Sequence, residues 1–131
     1  MSAEDVAALQ ALYEDWARGD YGSATLFADD IELSVPTDFP DIMIEPGYEG
    51  FLSAMRNWLS SWEHFTVDAH EFIDLGDRVV ALVRWQGISK VSGSRVERAG
   101  AHLWSFRDGK AVALQLCRDR EEALAVAAAL G

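Results

Sequence analysis

Cysteine is almost missing from this chain: Cys117 is the only one among 131 residues. A lone thiol excludes an intrachain disulfide and any cysteine-rich metal site. Positive charge is scarce as well, with 11 Lys and Arg against 22 Asp and Glu and a formal net charge of −11. The basic residues are scattered singly, so they build neither a phosphate-binding surface nor a polybasic membrane patch. Nucleic acid and membrane are therefore not expected as partners. No apolar run approaches the ~20 residues of a membrane span. The opening Met1-Ser2-Ala3-Glu4-Asp5 has neither the basic region nor the apolar core of a signal peptide. A cytoplasmic location is the resulting expectation. Proline is confined to residues 36–46, and there are no repeats, low-complexity tracts or linkers.

What is present suits a globular protein: half of the residues are hydrophobic and a quarter charged, with five Trp and six Phe. One domain over residues 1–131 is expected, large enough to bury roughly two-thirds of its unfolded surface. Val6, Leu9, Leu12, Tyr13 and Trp16 fall at helical spacing and predict a helix over 4–18, with Ser2 as N-cap and Gly19 as terminator. A short helical turn is expected from Tyr21 to Ala28, then a strand from Ile31 to Val35. The loop from Pro36 to Pro46 carries Phe39, Ile42, Met43 and Ile44 and reads as a lid. A second helix over 50–62 shows the face Phe51, Leu52, Met55, Trp58, Leu59 and Trp62. Strands follow at about 64–74, 78–90, 95–106 and 110–117, and an Ala-rich helix over 119–129 closes the chain. Helices first and a meandering sheet afterwards predict an α+β fold. A helix pair laid on one face of a twisted sheet leaves a cavity unless large side chains fill it.

The Arg107-Asp108-Gly109-Lys110 stretch between two period-two runs is a hairpin signal. A three-residue loop with Gly109 left-handed pairs Phe106 with Lys110, Trp104 with Val112, His102 with Leu114 and Gly100 with Leu116. That register puts His102 and Trp104 on one face with Val112, Leu114 and Leu116. A two-residue loop would set His102 beside Gln115, and the uniformly apolar row favours the first. On strand 78–90, alternation groups Val80, Leu82, Arg84 and Gln86 against Val79, Ala81, Val83 and Trp85. Residues 79–83 are apolar on both faces, as expected for a strand covered on both sides by a pocket and a dimer partner.

Several marks occur in order along the chain. They are Arg18-Gly19-Asp20, Leu26-Phe27-Ala28-Asp29-Asp30, Tyr48-Glu49-Gly50, Leu75-Gly76-Asp77-Arg78-Val79-Val80, Arg107-Asp108-Gly109-Lys110 and Asp119-Arg120-Glu121-Glu122-Ala123-Leu124. On these the whole chain resembles the SnoaL-like branch of the nuclear transport factor 2-like superfamily. The resemblance implies a cone-shaped α+β barrel. Its N-terminal helices pack on a strongly curved, mainly antiparallel sheet, a C-terminal helix follows, and one pocket is enclosed. It also implies a homodimer through the outer sheet face. The family includes ketosteroid isomerases, limonene epoxide hydrolases, polyketide cyclases and many proteins without known activity, so fold alone does not deliver function.

In limonene epoxide hydrolases a pocket Arg is followed two residues later by Asp, with a second acid on the last strand. Arg84 matches the Arg, but Gln86 stands in place of the Asp and Leu116 in place of the second acid. Epoxide opening needs both carboxylates, so that reaction is not expected. Ketosteroid isomerases place a catalytic Asp before the Pro that ends the first strand, and here that position is Val35. The base is lost unless Asp38 or Asp41 reaches in from the loop. The isomerase's second acid, an oxyanion-hole donor, aligns near His102.

His102 is thus the leading candidate for chemistry, as donor or base, and Arg84 is its electrostatic partner. Each has a plain structural alternative: a His hydrogen-bonded in the pocket wall, and an Arg paired with Asp68 or Glu71. Gln86 orients a ligand, and Asp38 is a candidate on the lid. Val35, Leu114, Leu116, Trp104, Tyr13, Trp16, Trp58 and Trp62 are expected as pocket lining or core. His64, His70 and His102 lack metal-ligand spacing, so no metal is expected, and no cofactor is implied. Cys117 reads as a buried small apolar group. The combined expectation is a small, mainly apolar metabolite in an aromatic-lined pocket, with acid–base chemistry of isomerase or cyclase type if the protein is an enzyme. The alternative is a non-catalytic binding or dimerisation module that has lost the family's carboxylates.

Overall fold

Leu9, Leu12, Tyr13 and Trp16 of the expected apolar stripe are buried by the first helix, α1 (Ser2–Ala17), as is Asp5, and Val6 is partly buried. Gly19, left-handed at φ 82°, ends it by returning its N–H to the Trp16 carbonyl at 3.0 Å. The computed structural model describes residues 2–21, 26–35 and 45–130. The expected lid, with Asp38, Asp41 and its apolar side chains, lies outside the described residues apart from Glu45 and Pro46. The remaining elements are β1 (Phe27–Ser34), α2 (Gly47–Leu59), β2 (Trp62–Asp74), β3 (Arg78–Ser89), β4 (Arg95–Arg107), β5 (Lys110–Cys117) and α3 (Arg120–Leu130). Asp119 caps α3, its carboxylate accepting the Glu122 N–H at 2.9 Å.

Among the described residues the strands form one mixed sheet in the order β1-β5-β4-β3-β2, not closed into a barrel. Strand β1 pairs parallel with β5, and the other pairs are antiparallel. The helical turn expected to reach Ala28 yields to β1 at Phe27, because Phe27 pairs with Ala111 and the Ala111 N–H bonds the Leu26 carbonyl at 2.9 Å. Long-range pairing here overrides local helical preference. Strand β2 carries two register shifts, between Glu63 and Thr66 and between Ala69 and Glu71, which bend it.

The β4–β5 hairpin corrects the expected register. Asp108 and Gly109 are both left-handed (φ 53° and 78°), giving a two-residue turn with Arg107 opposite Lys110 and Phe106 opposite Ala111. Continued unbroken, that turn would set His102 against Gln115. A bulge at Val112 intervenes, so Ser105 faces Ala113, Trp104 faces Leu114 and His102 faces Leu116. Local chemistry selects the Asp-Gly turn. The extra residue then restores Leu114 and Leu116 to the face of Trp104 and His102.

Helices α1 and α2 cover the inner face of the sheet, where the larger core gathers Trp104, Phe51, Leu9, Ile31, Val79, Ala81 and Val83. A smaller core lies on the outer face, where Ala123 and Ala127 of α3 pack on Val80, Ala101, Leu103 and Cys117. The apolarity of β3 on both faces is therefore explained within one chain, by α3 rather than by the expected partner. Cys117 is buried in this second core as expected, and burial together with Glu122 and Asp119 pushes its thiol up to about 11.

Gly50 explains part of the Tyr48-Glu49-Gly50 mark. A Cβ at Gly50 would collide with the backbone carbonyl of Glu45, so the chain entering α2 passes too close for any side chain. Gly50→Ala is expected to destabilise the fold by about 1–3 kcal/mol, the usual range for overpacking. The check is the urea midpoint of the variant, with a ligand-free wild type alongside.

Candidate functional site

Alternation along β4 sends Ala101 and Leu103 under α3 and turns His102, Trp104 and Phe106 toward α1 and α2. Across the sheet, His102 sits in one row with Phe72 on β2, Ala81 on β3 and Leu116 on β5. Ser34 pairs with Gln115, and one more step of that register brings Val35 beside Leu116. Three of the four positions where the family resemblance implies acids, Val35, Leu116 and His102, thus fall along a single row, and the fourth, Gln86, lies away from it. Some neighbours along this face are small, Ala81 beside His102 and Gly100 and Ala69 one row further, whereas Leu116 on its other side and Val83 between Ala69 and Gly100 are larger.

Tyr13 comes down from α1 onto His102. Its hydroxyl lies 2.7 Å from His102 Nδ1, and it accepts a hydrogen bond from Trp104 Nε1 at 2.8 Å. The Tyr13 and His102 rings stack at 5.9 Å, Trp16 meets Tyr13 edge-on at 5.2 Å, and Trp104 stacks on Phe27 at 6.1 Å. Packing this dense disfavours charge. Burial lowers the His102 pKa to about 4 and raises that of the Tyr13 phenol far above its usual value. The Trp16 Nε1–H is buried and has no hydrogen-bond partner among the described residues. An open groove of about 540 Å³ runs between α1 and β2 past Gln10, Glu14, Asp68, Ala69 and Phe72, and Tyr13 lines it too.

The structure brings Tyr13, Trp16, Trp104, Leu114 and Leu116 together around His102, and separates other expected members. Trp58 and Trp62 form a second aromatic group with Phe65 and Trp85, at centroid distances of 5.4–5.8 Å from Trp58. Trp85 stands four residues along β3 from Ala81, roughly 13 Å from the His102 row at the rise of an extended strand. Gly87 lets this group close up, since a Cβ there would come within 3.0 Å of Trp62 and 3.1 Å of Phe65. Phe65 and Trp85 were missed in the sequence. The signal was available, because Trp85 belongs to the all-apolar set of β3 with Val79, Ala81 and Val83.

The pairing of Arg84 with His102 in one hollow is overturned. Val79, Ala81 and Val83 turn inward with Trp85 and Arg84 turns outward, where it binds Glu97 at 3.1 Å with its side chain 57% exposed. The expected alternative partners, Asp68 and Glu71, are not the ones it takes, and Glu71 binds Arg120 at 3.6 Å. Gln86 shares the outer face and accepts a hydrogen bond from Arg95. An all-apolar set including a Trp gains more from facing two helices than the set ending in Arg84 and Gln86 would. No group of three or more His, Cys, Asp or Glu able to hold a metal occurs among the described residues. Nor does any helix there have the length and apolarity to cross a membrane.

Comparison with known proteins adds three findings. A family model described as a SnoaL-like domain matches residues 9–114. No curated protein matches the chain. Among solved structures, an NTF2-like protein of unknown function from Burkholderia pseudomallei superposes with a TM-score of 0.75 at 21% identity, covering 93% of this chain and 95% of that one. A candidate SnoaL-like polyketide cyclase from Jannaschia sp. CCS1 gives 0.77 at 16% identity, covering 98% and 92%. TerC, co-crystallised with polyporic acid, gives 0.74 at 22% identity, covering 95% and 96%. At these identities the likeness shows a shared fold.

Proposed function

The chain belongs to the SnoaL-like domain family, and within it we propose that the protein binds a small, mainly apolar ring or carbonyl metabolite against the inner sheet face, with His102 as its polar contact. The observation that carries this reading is an uncharged imidazole set among aromatic and aliphatic side chains, beside the small residues Ala81 and Gly100. Such a surface offers apolar burial with one orienting polar group, the usual composition of a small-molecule site. The structural likeness to TerC, which was co-crystallised with polyporic acid, supports a ligand of this kind. If the protein turns its ligand over, the chemistry is acid–base work of isomerase or cyclase type at the atom that meets His102.

A second reading, a non-catalytic binding or dimerisation module, is favoured by Val35 and Leu116, which stand in the row of His102 where carboxylates would be expected. Native mass spectrometry of the protein incubated with a metabolite extract reports bound ligand and oligomeric state together. The expected result is a retained small molecule whose affinity falls roughly 5- to 150-fold in His102→Ala, the range for one buried hydrogen bond. Arg84→Ala, altered on the outer face, is expected to leave that affinity unchanged. Retention of no molecule from any extract would remove the binding proposal. Turnover unaltered by His102→Ala would leave binding and remove catalysis.

A further inference from the structure

We infer that Tyr13 fixes the ring proton of His102 on Nε2, so that the imidazole meets its ligand as a neutral hydrogen-bond donor and not as a base. This deepens the reading of His102 as the ligand contact, and rests on it only for what the donor meets.

The direction of each hydrogen bond follows from the donor inventory. An indole N–H can only donate, so Trp104 Nε1 gives its proton to the Tyr13 oxygen at 2.8 Å. The phenol keeps its own proton and must place it somewhere, since a buried hydroxyl without an acceptor loses its hydration uncompensated. His102 Nδ1, at 2.7 Å, is the acceptor the described residues supply. The reverse arrangement would aim two N–H groups at one phenol oxygen and leave the phenol hydrogen with nothing to bond. Tyr13 therefore donates to Nδ1, and a neutral ring then carries its hydrogen on Nε2.

The consequence is chemical. With Nδ1 occupied and Nε2 protonated, the ring has no free lone pair to take a proton from a ligand. It can give a hydrogen bond to a carbonyl, enolate or phenolate oxygen, and a neutral imidazole suffices to polarise a carbonyl. A second observation agrees. The buried Nε1 of neighbouring Trp16, without a partner among the described residues, is also a donor. Both open groups call for an acceptor. Tyr13 acts through His102, and is a positioning residue.

The test is the two-bond proton–nitrogen correlation spectrum of the histidine rings in the full chain at neutral pH. The expected result is a His102 ring with a protonated Nε2 and a bare Nδ1. Tyr13→Phe keeps the packing and removes the hydroxyl, and should shift the Nδ1 signal toward the position of a mixed pair of tautomers. A wild-type ring protonated at Nδ1, or a spectrum that Tyr13→Phe leaves unmoved, would overturn the inference. If that variant does not fold, the wild-type spectrum still decides. A ligand arm uses 1-tetralone against tetralin, the same ring without the oxygen. The ketone should bind at least fivefold more tightly and move the His102 Nε2–H signal, and equal binding of both would sink the donor role. An Nε2–H ring with neither compound bound would retire the binding proposal and uphold the tautomer assignment.

Discussion

Replacing Trp104 by Ala is expected to lower stability by about 3–5 kcal/mol, the range for emptying a buried aromatic site. Trp104 is 0% exposed and the largest fully buried side chain. It stacks on Phe27, packs edge-on against Tyr13 and lies 6.2 Å from Trp16, so its loss removes the wall that several rings share. The same change takes away the N–H that Tyr13 accepts. Two comparisons make the result interpretable. Trp104→Phe keeps most of the volume and should cost about 1–2 kcal/mol for the lost hydrogen bond and the small void. Trp58→Ala, at a ring already 44% exposed, should cost about 1 kcal/mol from its aromatic contacts. Urea titrations of the three variants give the ranking. Equal losses at positions 104 and 58 would contradict the placement of the core on the inner face of β4.

That placement shows which parts of the molecule are legible in the sequence. Elements set by nearby residues come through: the stripe Leu9, Leu12, Tyr13 and Trp16 gives α1, Gly19 its end, and Asp119 the start of α3. The sharing of one face by His102, Trp104, Leu114 and Leu116 is legible too, because burial of an apolar row strongly specifies register. The route to that register is not. A two-residue turn corrected by a bulge at Val112 balances the local chemistry of Asp108-Gly109 against packing far along the strand, and either alone predicts a different pairing.

Which face of β3 turns inward is the costlier ambiguity. Both of its faces are apolar over residues 79–83, and the choice depends on the distant α3, which covers Val80 with Ala123 and Ala127. Helix α3 contributes no cue to the β3 sequence itself. Arg84 and Gln86 followed the wrong side for that reason, whereas His102 has Ala101 and Leu103 as outward neighbours and keeps its place. The family resemblance could not correct this, since matching an Arg by spacing along a strand does not establish its face. The hydrogen bond from α1 to His102 joins residues 89 apart and has no local signature either. Of the residues expected together, the imidazole sits with Tyr13, Trp16 and Trp104, while the guanidinium of Arg84 and the rings of Trp58 and Trp62 lie elsewhere.

The state of that imidazole has a consequence for stability that needs no ligand. His102 titrates near 4 in the fold, below its ordinary 6.5, because burial penalises the charged ring. An unfolded chain therefore binds a proton at this residue between pH 6.5 and 4 that the folded chain refuses. Stability rises with pH wherever the unfolded state holds more protons. The full contribution is present above about pH 6.5 and drains away as the pH falls to about 4. At about 1.4 kcal/mol per unit, the full shift is worth roughly 3 kcal/mol, and the partial exposure of His102 brings it nearer 2. Other groups titrate in the same window, so the quantity to measure is a difference. Urea unfolding of the wild type and of His102→Asn at pH 7 and pH 4.5 should show the wild type losing about 2 kcal/mol more than the variant on acidification. Parallel losses in the two proteins would mean that the His102 ring protonates freely in the fold. It would then stand in water, outside the aromatic interior on which its role as a neutral donor depends.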